Sequence, residues 1–376
     1  MRILLIANYI SDDQESMQRF CALMNRGLTA RGHDVQILRP QEYLVRLVPK
    51  PAMLQKWLGY IDKFAFFPWA LIHRVRSYDV IHICDHSNAI YTRFLRGQPT
   101  VVTCHDLMAV RSARGEVAEN PTGWSGRALQ RAIARGLERA QVVVCVSEHT
   151  RRNVIRLIRR EQRLTTSVPN ALNYAYTPME KMEARQRVSL LFEDETRRFF
   201  LHVGGNQWYK NRLGVLRIFA NLRSRRQFAG YRLIMVGKPF TDQMRSLIHR
   251  QALDQEIVEL TNLENEDLRA LYSLAEGLIF PSLEEGFGWP IIEAQACGCP
   301  VFTSDRAPMT EVGGRAGVYF DPDDPPDAAE AIAAGLTRRS EMVELGLKNA
   351  SRFGSGAMIE AYEETYRLAI SGRPRL

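Results

Sequence analysis

Phe280-Pro-Ser-Leu-Glu-Glu-Gly-Phe-Gly-Trp-Pro-Ile-Ile-Glu-Ala-Gln-Ala-Cys-Gly-Cys-Pro-Val301 runs from the end of an apolar strand, through a glycine turn, into a helix. Gly286 and Gly288 flank Phe287, and Pro290 suits a first helical turn, where its missing N–H has no partner to lose. Glycines before a helix start let backbone amides close on an anion, and the helix dipole favours negative charge there; a diphosphate would fit. Glu285 stands before the helix and Glu293 about one turn inside it. An isolated glutamate is commonly a solvated or capping carboxylate. A pair of them around such a turn suits a sugar beside a phosphate, because sugar hydroxyls donate to carboxylate oxygens.

Outward from this stretch the chain alternates short β-rich runs with segments of helical period. In the rear half the runs are Phe199 to Val203, Tyr231 to Val236, Ile257 to Leu260, Gly277 to Phe280 and Pro300 to Thr303. In the front half they are Ile3 to Ala7, Asp34 to Leu38, Asp79 to Cys84, Thr100 to Cys104 and Gln141 to Val146, with helices at Met17 to Ala30, Trp124 to Arg139 and Glu148 to Arg160. Most runs are continuously apolar, as parallel strands covered on both faces must be. The expected fold class is α/β, with two doubly wound, Rossmann-like parallel-sheet domains in tandem. The break is expected in Val168–Pro178, where two prolines and two asparagines interrupt both periods. That divides an N-terminal domain (1–172) from a C-terminal domain (173–376), with a last helix near 356–370 expected to pack back on the first. Open α/β sheets bind ligands beyond the C-terminal ends of their strands, so a cleft faced by both sheets is the expected site.

The chain's 376 residues exclude a single small module, and 45% hydrophobic with 24% charged residues excludes disorder and low complexity. Six cysteines are too few for a disulfide scaffold at this length, and Cys297-Gly-Cys299 has no second pair to complete a zinc site. No metal is expected. The start, Met1 to Ala7, is too brief for a signal-peptide core, and no apolar run approaches the roughly 20 residues of a membrane span. A cytoplasmic protein is expected, peripheral at most to the inner face of the cell membrane. Net charge is +8, and the excess is N-terminal: residues 1–172 carry 25 basic and 14 acidic side chains, against 25 and 28 in the rest. An anionic partner for the front half follows, whether phosphate-bearing ligand, lipid headgroup or nucleic acid.

The Glu285-x7-Glu293 block resembles the signature of retaining glycosyltransferases of family 4, which have the GT-B fold and act on nucleotide-activated sugars. The resemblance extends to Val203-Gly-Gly-Asn-Gln-Trp-Tyr-Lys-Asn211, Arg31-Gly-His-Asp-Val35, Thr103-Cys-His-Asp106, Val146-Ser-Glu-His-Thr150 and Val168-Pro-Asn170, nearly the whole chain. It implies that Glu285 binds donor-sugar hydroxyls, with Gly205 and the backbone of Gly286, Phe287 and Gly288 beside the sugar and diphosphate. It implies that Glu293 holds the nucleotide ribose. Lys210, at the positive end of a helix expected from Asn211 to Leu222, is badly placed in isolation and well placed if a diphosphate fills the gap. Many relatives carry an arginine shortly after this strand where the chain has Gly204-Gly205-Asn206, so Lys210 would act alone or with Arg212. His105, at the end of the strand Thr100 to Cys104, would contact the donor sugar by the same resemblance, and Asp106 would orient it or the acceptor. Ser147 and His149 are weaker candidates.

Paired glycines of many relatives are missing from the Asn8 to Met17 loop. Asp12, Asp13 and Glu15 have the wrong sign for a phosphate, so Asp12, Asp13 and Ser16 are read either as recognising acceptor hydroxyls or as an acidic helix cap. Between Leu44 and Arg76, Trp57, Tyr60, Phe64, Phe66, Phe67 and Trp69 interleave with Lys50, Lys56, Lys63, Arg74 and Arg76. This segment is either a packed helix pair with a basic face or a contact with an anionic membrane surface.

The expected function is transfer of a hexosyl unit from a nucleoside diphosphate sugar to an acceptor hydroxyl of a glycan or lipid-linked glycan, with retention and without a metal cofactor. Surface polysaccharide or lipid-linked glycan synthesis is the expected setting. The alternatives are a sugar-nucleotide epimerase or hydrolase on the same fold, and a basic nucleic-acid-binding protein. No nucleic-acid-binding motif accompanies the charge, so no nucleic-acid partner is expected.

Overall fold

The computed structural model describes residues 1–12, 14–45, 58–95, 97–159, 164–192 and 197–372. The chain divides into two units, one of Met1–Asn173 with Ser355–Leu376, the other of Tyr174–Gly354.

In the first unit, β1 (Arg2–Ile6), β2 (Asp34–Leu38), β3 (Val80–Ile83), β4 (Thr100–Cys104), β5 (Val142–Cys145) and β6 (Thr165–Ser167) form one parallel sheet in the order β2-β1-β3-β4-β5-β6. Side chains alternate between its faces. Leu4, Ile6, Ile81, Ile83, Val102, Cys104, Val143 and Cys145 enter one core with Phe67, Tyr91, Leu137 and Val154. The crossovers that run on from β2 to β6 share a hand, so the helices Phe67–Arg74, Trp124–Arg139 and Glu148–Ile158 and the 3-10 stretch His86–Phe94 cover this face. Helix Glu15–Ala30 covers the other face, where the closing helix Ser355–Ser371 packs beside it. Gly32, at φ +82°, takes the left-handed turn after the first of these.

A close approach holds the covered face together. A Cβ on Gly136 would stand 2.1 Å from the Ala89 carbonyl oxygen, and Thr92 Oγ1 donates to the Gly136 carbonyl at 3.1 Å. Since backbone cannot yield as a side chain can, Gly136→Ala is expected to cost about 1–3 kcal/mol, read as a lowered midpoint in denaturant melts. An unchanged midpoint would show that the two elements separate freely.

The closing helix is held by polar contacts that the sheet supplies. His82 Nε2 lies 2.7 Å from Thr103 Oγ1, Tyr366 OH lies 2.8 Å from His82 Nδ1, and Tyr362 OH lies 2.9 Å from Thr103 Oγ1. At the rim, Glu363 takes Arg31 at 2.9 and 3.0 Å and His33 at 2.7 Å. The Arg31 hydrogen bonds come first among the causes that hold the Glu363 carboxyl down at about 2, and burial pulls His82 down to about 3. Both groups bind fewer protons folded than unfolded, so both contributions are complete at neutral pH. The His82 share is lost as pH falls from about 6.5 towards 3, and the Glu363 share as it falls from about 4.3 towards 2. The melting temperature should therefore fall with pH across that window. Glu363→Gln should lower it at pH 7 and flatten the decline below about pH 4.3; parallel curves for the two proteins would refute this.

In the second unit, β7 (Phe199–Gly204), β8 (Arg232–Gly237), β9 (Ile257–Leu260), β10 (Gly277–Phe280), β11 (Val301–Ser304) and β12 (Gly317–Phe320) form a parallel sheet ordered β12-β11-β10-β7-β8-β9. Its core gathers Phe200, Leu233, Met235, Ile279 and Phe302 with Phe219, Ile248 and Ile332. Each sheet has one strand more than the five runs read from the sequence. Thr165–Ser167 is short and polar and Gly317–Phe320 opens on glycine and is half exposed; as edge strands, neither needs a long apolar run.

Candidate active site

In the second sheet the strand order reverses between β7 and β10, and such switch points open a crevice beyond the strand ends. The segments that leave these two strands are stitched together. Leu283 N donates to the Tyr209 carbonyl at 2.7 Å, and Asn211 Nδ2 donates to the Pro281 carbonyl at 3.1 Å. Asn211, at φ 50°, also caps the helix Arg212–Arg223 by accepting from Gly214 N. This helix starts one residue later than its periodicity suggests, because asparagine tolerates the left-handed cap position.

The stitching sets Lys210 against Glu285, with Nζ 2.7 Å from Oε1. Ser282 Oγ donates to the same oxygen at 2.9 Å, and the ammonium lies 5.4 Å from the Phe280 ring centroid. Glu285 is only 7% exposed, yet Oε2 makes no hydrogen bond among the described residues. One carboxylate oxygen is thus anchored by a cation and a hydroxyl, and the other is left to accept. The positive charge that looked misplaced beside a helix start is balanced by Glu285.

Gly288 stands at φ +103°, a conformation costly for any other residue, and brings the chain to the start of the helix Trp289–Ala296. Phe287 is buried, with its ring 5.7 Å from that of Phe353. Glu293 is buried inside the helix and accepts from Tyr272 OH at 3.1 Å. Arg212 is 4% exposed; its Nη1 donates to Asn206 Oδ1 and, at 2.8 Å, to the Lys238 carbonyl, while Nε and Nη2 make no hydrogen bond among the described residues. Burial pulls its pKa down. Gly205 lies in the same β7 exit, next to Asn206.

In the first unit the switch point lies between β1 and β3. There Asn8 Nδ2 donates to Asp85 Oδ2 at 2.6 Å, Asn88 Nδ2 donates to Asn8 Oδ1 at 3.2 Å, and His86 Nδ1 lies 3.1 Å from Asp85 Oδ1. Burial alone would raise the Asp85 pKa; His86, with His105 and Ser87, outweighs it and holds the carboxyl down, as Asp85 in turn raises His86 against its own burial. Sequence reasoning missed this group, although Cys84-Asp-His-Ser-Asn88 follows a strand just as Cys104-His-Asp106 does. His105 is 5% exposed. Its Nε2–H donates to the Cys84 carbonyl at 2.9 Å, leaving Nδ1 an acceptor with no partner among the described residues, and burial lowers its pKa. A neutral imidazole with a spare lone pair can receive a hydroxyl. Asp106 Oδ1 accepts from Met108 N at 3.0 Å and so starts the helix Met108–Ala113.

Asp12 is held by Lys63, with Nζ at 2.9 and 3.0 Å from its two oxygens, and Gln14 precedes the helix Glu15–Ala30 without a side-chain cap bond. Ser16 is exposed on the first turn, and Asp13 lies outside the described residues. In the basic aromatic segment Phe67 is in the core, while Lys50, Lys56 and Trp57 lie outside the described residues. Ser147 caps the helix Glu148–Ile158 by accepting from Thr150 N at 3.1 Å, and His149 Nε2 lies 3.0 Å from Asn153 Nδ2. No group of three His, Cys, Asp or Glu side chains placed to hold a metal occurs among the described residues.

The family model Glycosyl transferases group 1 matches residues 185–352, and Glycosyltransferase Family 4 matches residues 17–175. The chain is 30% identical over 215 residues to an O-antigen chain mannosyltransferase B of Escherichia coli, a match covering 56% of this chain and 54% of that one. It is 26% identical over 329 residues to a D-inositol 3-phosphate glycosyltransferase of Corynebacterium diphtheriae, over 84% of this chain and 75% of that one. The structure is similar to that of sucrose-phosphate synthase from Thermosynechococcus elongatus, with a TM-score of 0.75 and 20% identity over 99% of both chains. It is also similar to Anabaena HepE in complex with UDP and glucose, with a TM-score of 0.73 and 16% identity over 98% of this chain and 99% of that one. At these identities the likeness is one of fold, the GT-B fold.

Proposed function

Since the chain belongs to the group 1 glycosyltransferases of family 4, we propose that it moves a hexosyl unit from a nucleoside diphosphate sugar to an acceptor hydroxyl with retention at the anomeric carbon. The observation that carries the reading is Glu285, whose Oε1 is anchored by Lys210 and Ser282 and whose Oε2 remains an acceptor at the switch point of a parallel sheet. A sugar hydroxyl donating to Oε2 would place the anomeric carbon and its diphosphate beside Lys210 and the two helix starts at Arg212 and Trp289. As the bond to the diphosphate breaks, charge develops on the phosphate oxygens, and a cation with preorganised amides stabilises it without reorganising. Glu293 would hold the nucleotide ribose from within the helix Trp289–Ala296.

In the first unit, His105 Nδ1 would accept from a sugar hydroxyl, and the Asn8–Asp85–His86 group would recognise hydroxyls of the acceptor more readily than Asp12, which Lys63 already occupies. The proposed route needs no metal: Lys210 and the amides supply the positive charge, and the departing phosphate accepts the acceptor's proton. The mannosyltransferase of O-antigen chains among the relatives supports surface polysaccharide as the setting and a glycan or lipid-linked glycan as the acceptor.

A thermal-shift panel of UDP, GDP, ADP and their sugars tests the reading, because a ligand that binds only the folded chain raises the melting temperature. One nucleotide series should stand out, and no shift with any of them would overturn the proposal. The anomer formed with the matching donor then separates retention from inversion, and free sugar as sole product would mark a hydrolase.

A further inference from the structure

The stretch that leads to Glu285 is pinned at four successive peptide carbonyls. Ile279 O accepts from His202 Nδ1–H at 2.9 Å, Phe280 O from Thr303 Oγ1 at 2.7 Å, Pro281 O from Asn211 Nδ2 at 3.1 Å and Ser282 O from Ser304 Oγ at 2.7 Å. Every donor is a side chain. His202 comes from β7, Asn211 from the segment that leaves it, and Thr303 and Ser304 from β11. The last bond leads straight into the site, since Ser282, whose carbonyl Ser304 holds, gives its hydroxyl to Glu285 Oε1 at 2.9 Å.

Strand pairing alone does not supply this row. The β7–β10 register ends at Leu201↔Leu278 and the β10–β11 register at Thr303↔Phe280. A backbone ladder continued past those points would carry β10 straight on, whereas side-chain donors satisfy its carbonyls and let the chain bend into the loop. His202, Ser282, Thr303 and Ser304 are fully buried. A buried carbonyl cannot exchange its donor for water, so each of these peptide units is held in one orientation. Burial draws the His202 pKa down to about 3, which keeps the ring neutral with its single N–H committed to Ile279.

We propose that His202, Thr303 and Ser304 are positioning residues for glycosyl transfer: they fix the peptide planes of residues 279–282, so that Glu285 meets the donor sugar in one orientation, and they touch no substrate themselves. The inference rests on Glu285 holding the donor sugar. A loop ordinarily leaves its carbonyls to water and keeps the freedom to turn. This one is tied on both sides up to the residue three places before Glu285. Groups that act on a transition state need to be held to about half an ångström, and buried hydrogen bonds from neighbouring strands are a rigid way of doing so.

Steady-state rates of Ser304→Ala and Thr303→Val test it, taken well below their melting midpoints and read as nucleoside diphosphate released from the UDP-, GDP- or ADP-sugar that the thermal-shift panel selects. Each substitution should lower kcat about tenfold with little change in donor KM, because a slightly displaced Glu285 still binds but presents the sugar badly. Thr303→Ser keeps the hydroxyl and should return kcat to within about twofold of the parent. A purely structural role would lower the midpoint and leave the kcat of the folded protein alone. The Glu285→Gln background separates the two: with the carboxylate gone, Ser304→Ala should cost no more than about a further twofold. A parent-like kcat in Ser304→Ala or Thr303→Val while Glu285→Gln is slow, a Thr303→Ser as slow as Thr303→Val, or losses that multiply in the double variant would overturn the positioning role and leave Glu285 in the site. Transfer by Glu285→Gln at the parent's rate would remove Glu285 and this inference with it.

Discussion

Glu285→Gln is expected to lower kcat/KM for glycosyl transfer by about 100- to 1000-fold while leaving the melting temperature within a few degrees of the parent. Glutamine keeps the side chain's shape, and its carbonyl oxygen still accepts from Lys210 Nζ and Ser282 Oγ, so the stitching between the β7 and β10 exits survives. What changes is the other position, where an oxygen that accepts becomes an NH2 that donates. A sugar hydroxyl then meets a donor and loses its hold in the orientation that presents the anomeric carbon. Steady-state rates with the donor named by the nucleotide panel measure this. Transfer at the parent's rate in a folded variant would remove Glu285 from the site.

Lys210→Met should cost a similar factor, about 100-fold or more in kcat, for a different reason. The methionine keeps the apolar stem over Phe280 and removes the charge that faces the departing phosphate. It also strips Glu285 of its cation, leaving a 7% exposed carboxylate with Ser282 as its one remaining partner. Because each substitution removes one charge of the same ion pair, the double variant should lose less than the product of the single losses. Fully multiplicative losses would show that the two side chains act apart, and the ion pair would then be incidental to transfer.

The strand–turn–helix order around Glu285 and Gly288, the apolar runs that become parallel strands, and the glutamate spacing that marks the family could all be read along the chain, because each depends on neighbours a few residues apart. Glycine before Pro290 states the local backbone, and continuous apolar runs state burial on both faces. The edge strands Thr165–Ser167 and Gly317–Phe320 could not be read this way, since an edge needs only one partner and little apolar length.

Partnerships between distant residues came from the tertiary structure alone. Lys210 and Glu285 are 75 positions apart and meet because β7 and β10 are neighbours at a strand-order reversal. Asp12 reads from its loop as a cap or an acceptor contact, and its pairing with Lys63, 51 residues on, is invisible at that range. Asn8 and Asp85 form a buried pair for the same topological reason as Lys210 and Glu285. Local residue order determined which elements form and which chemistry they carry, because backbone preference and burial are short-range properties. Strand order decided which of those chemistries face one another, and strand order is a property of the assembled sheet that no single stretch of the chain contains.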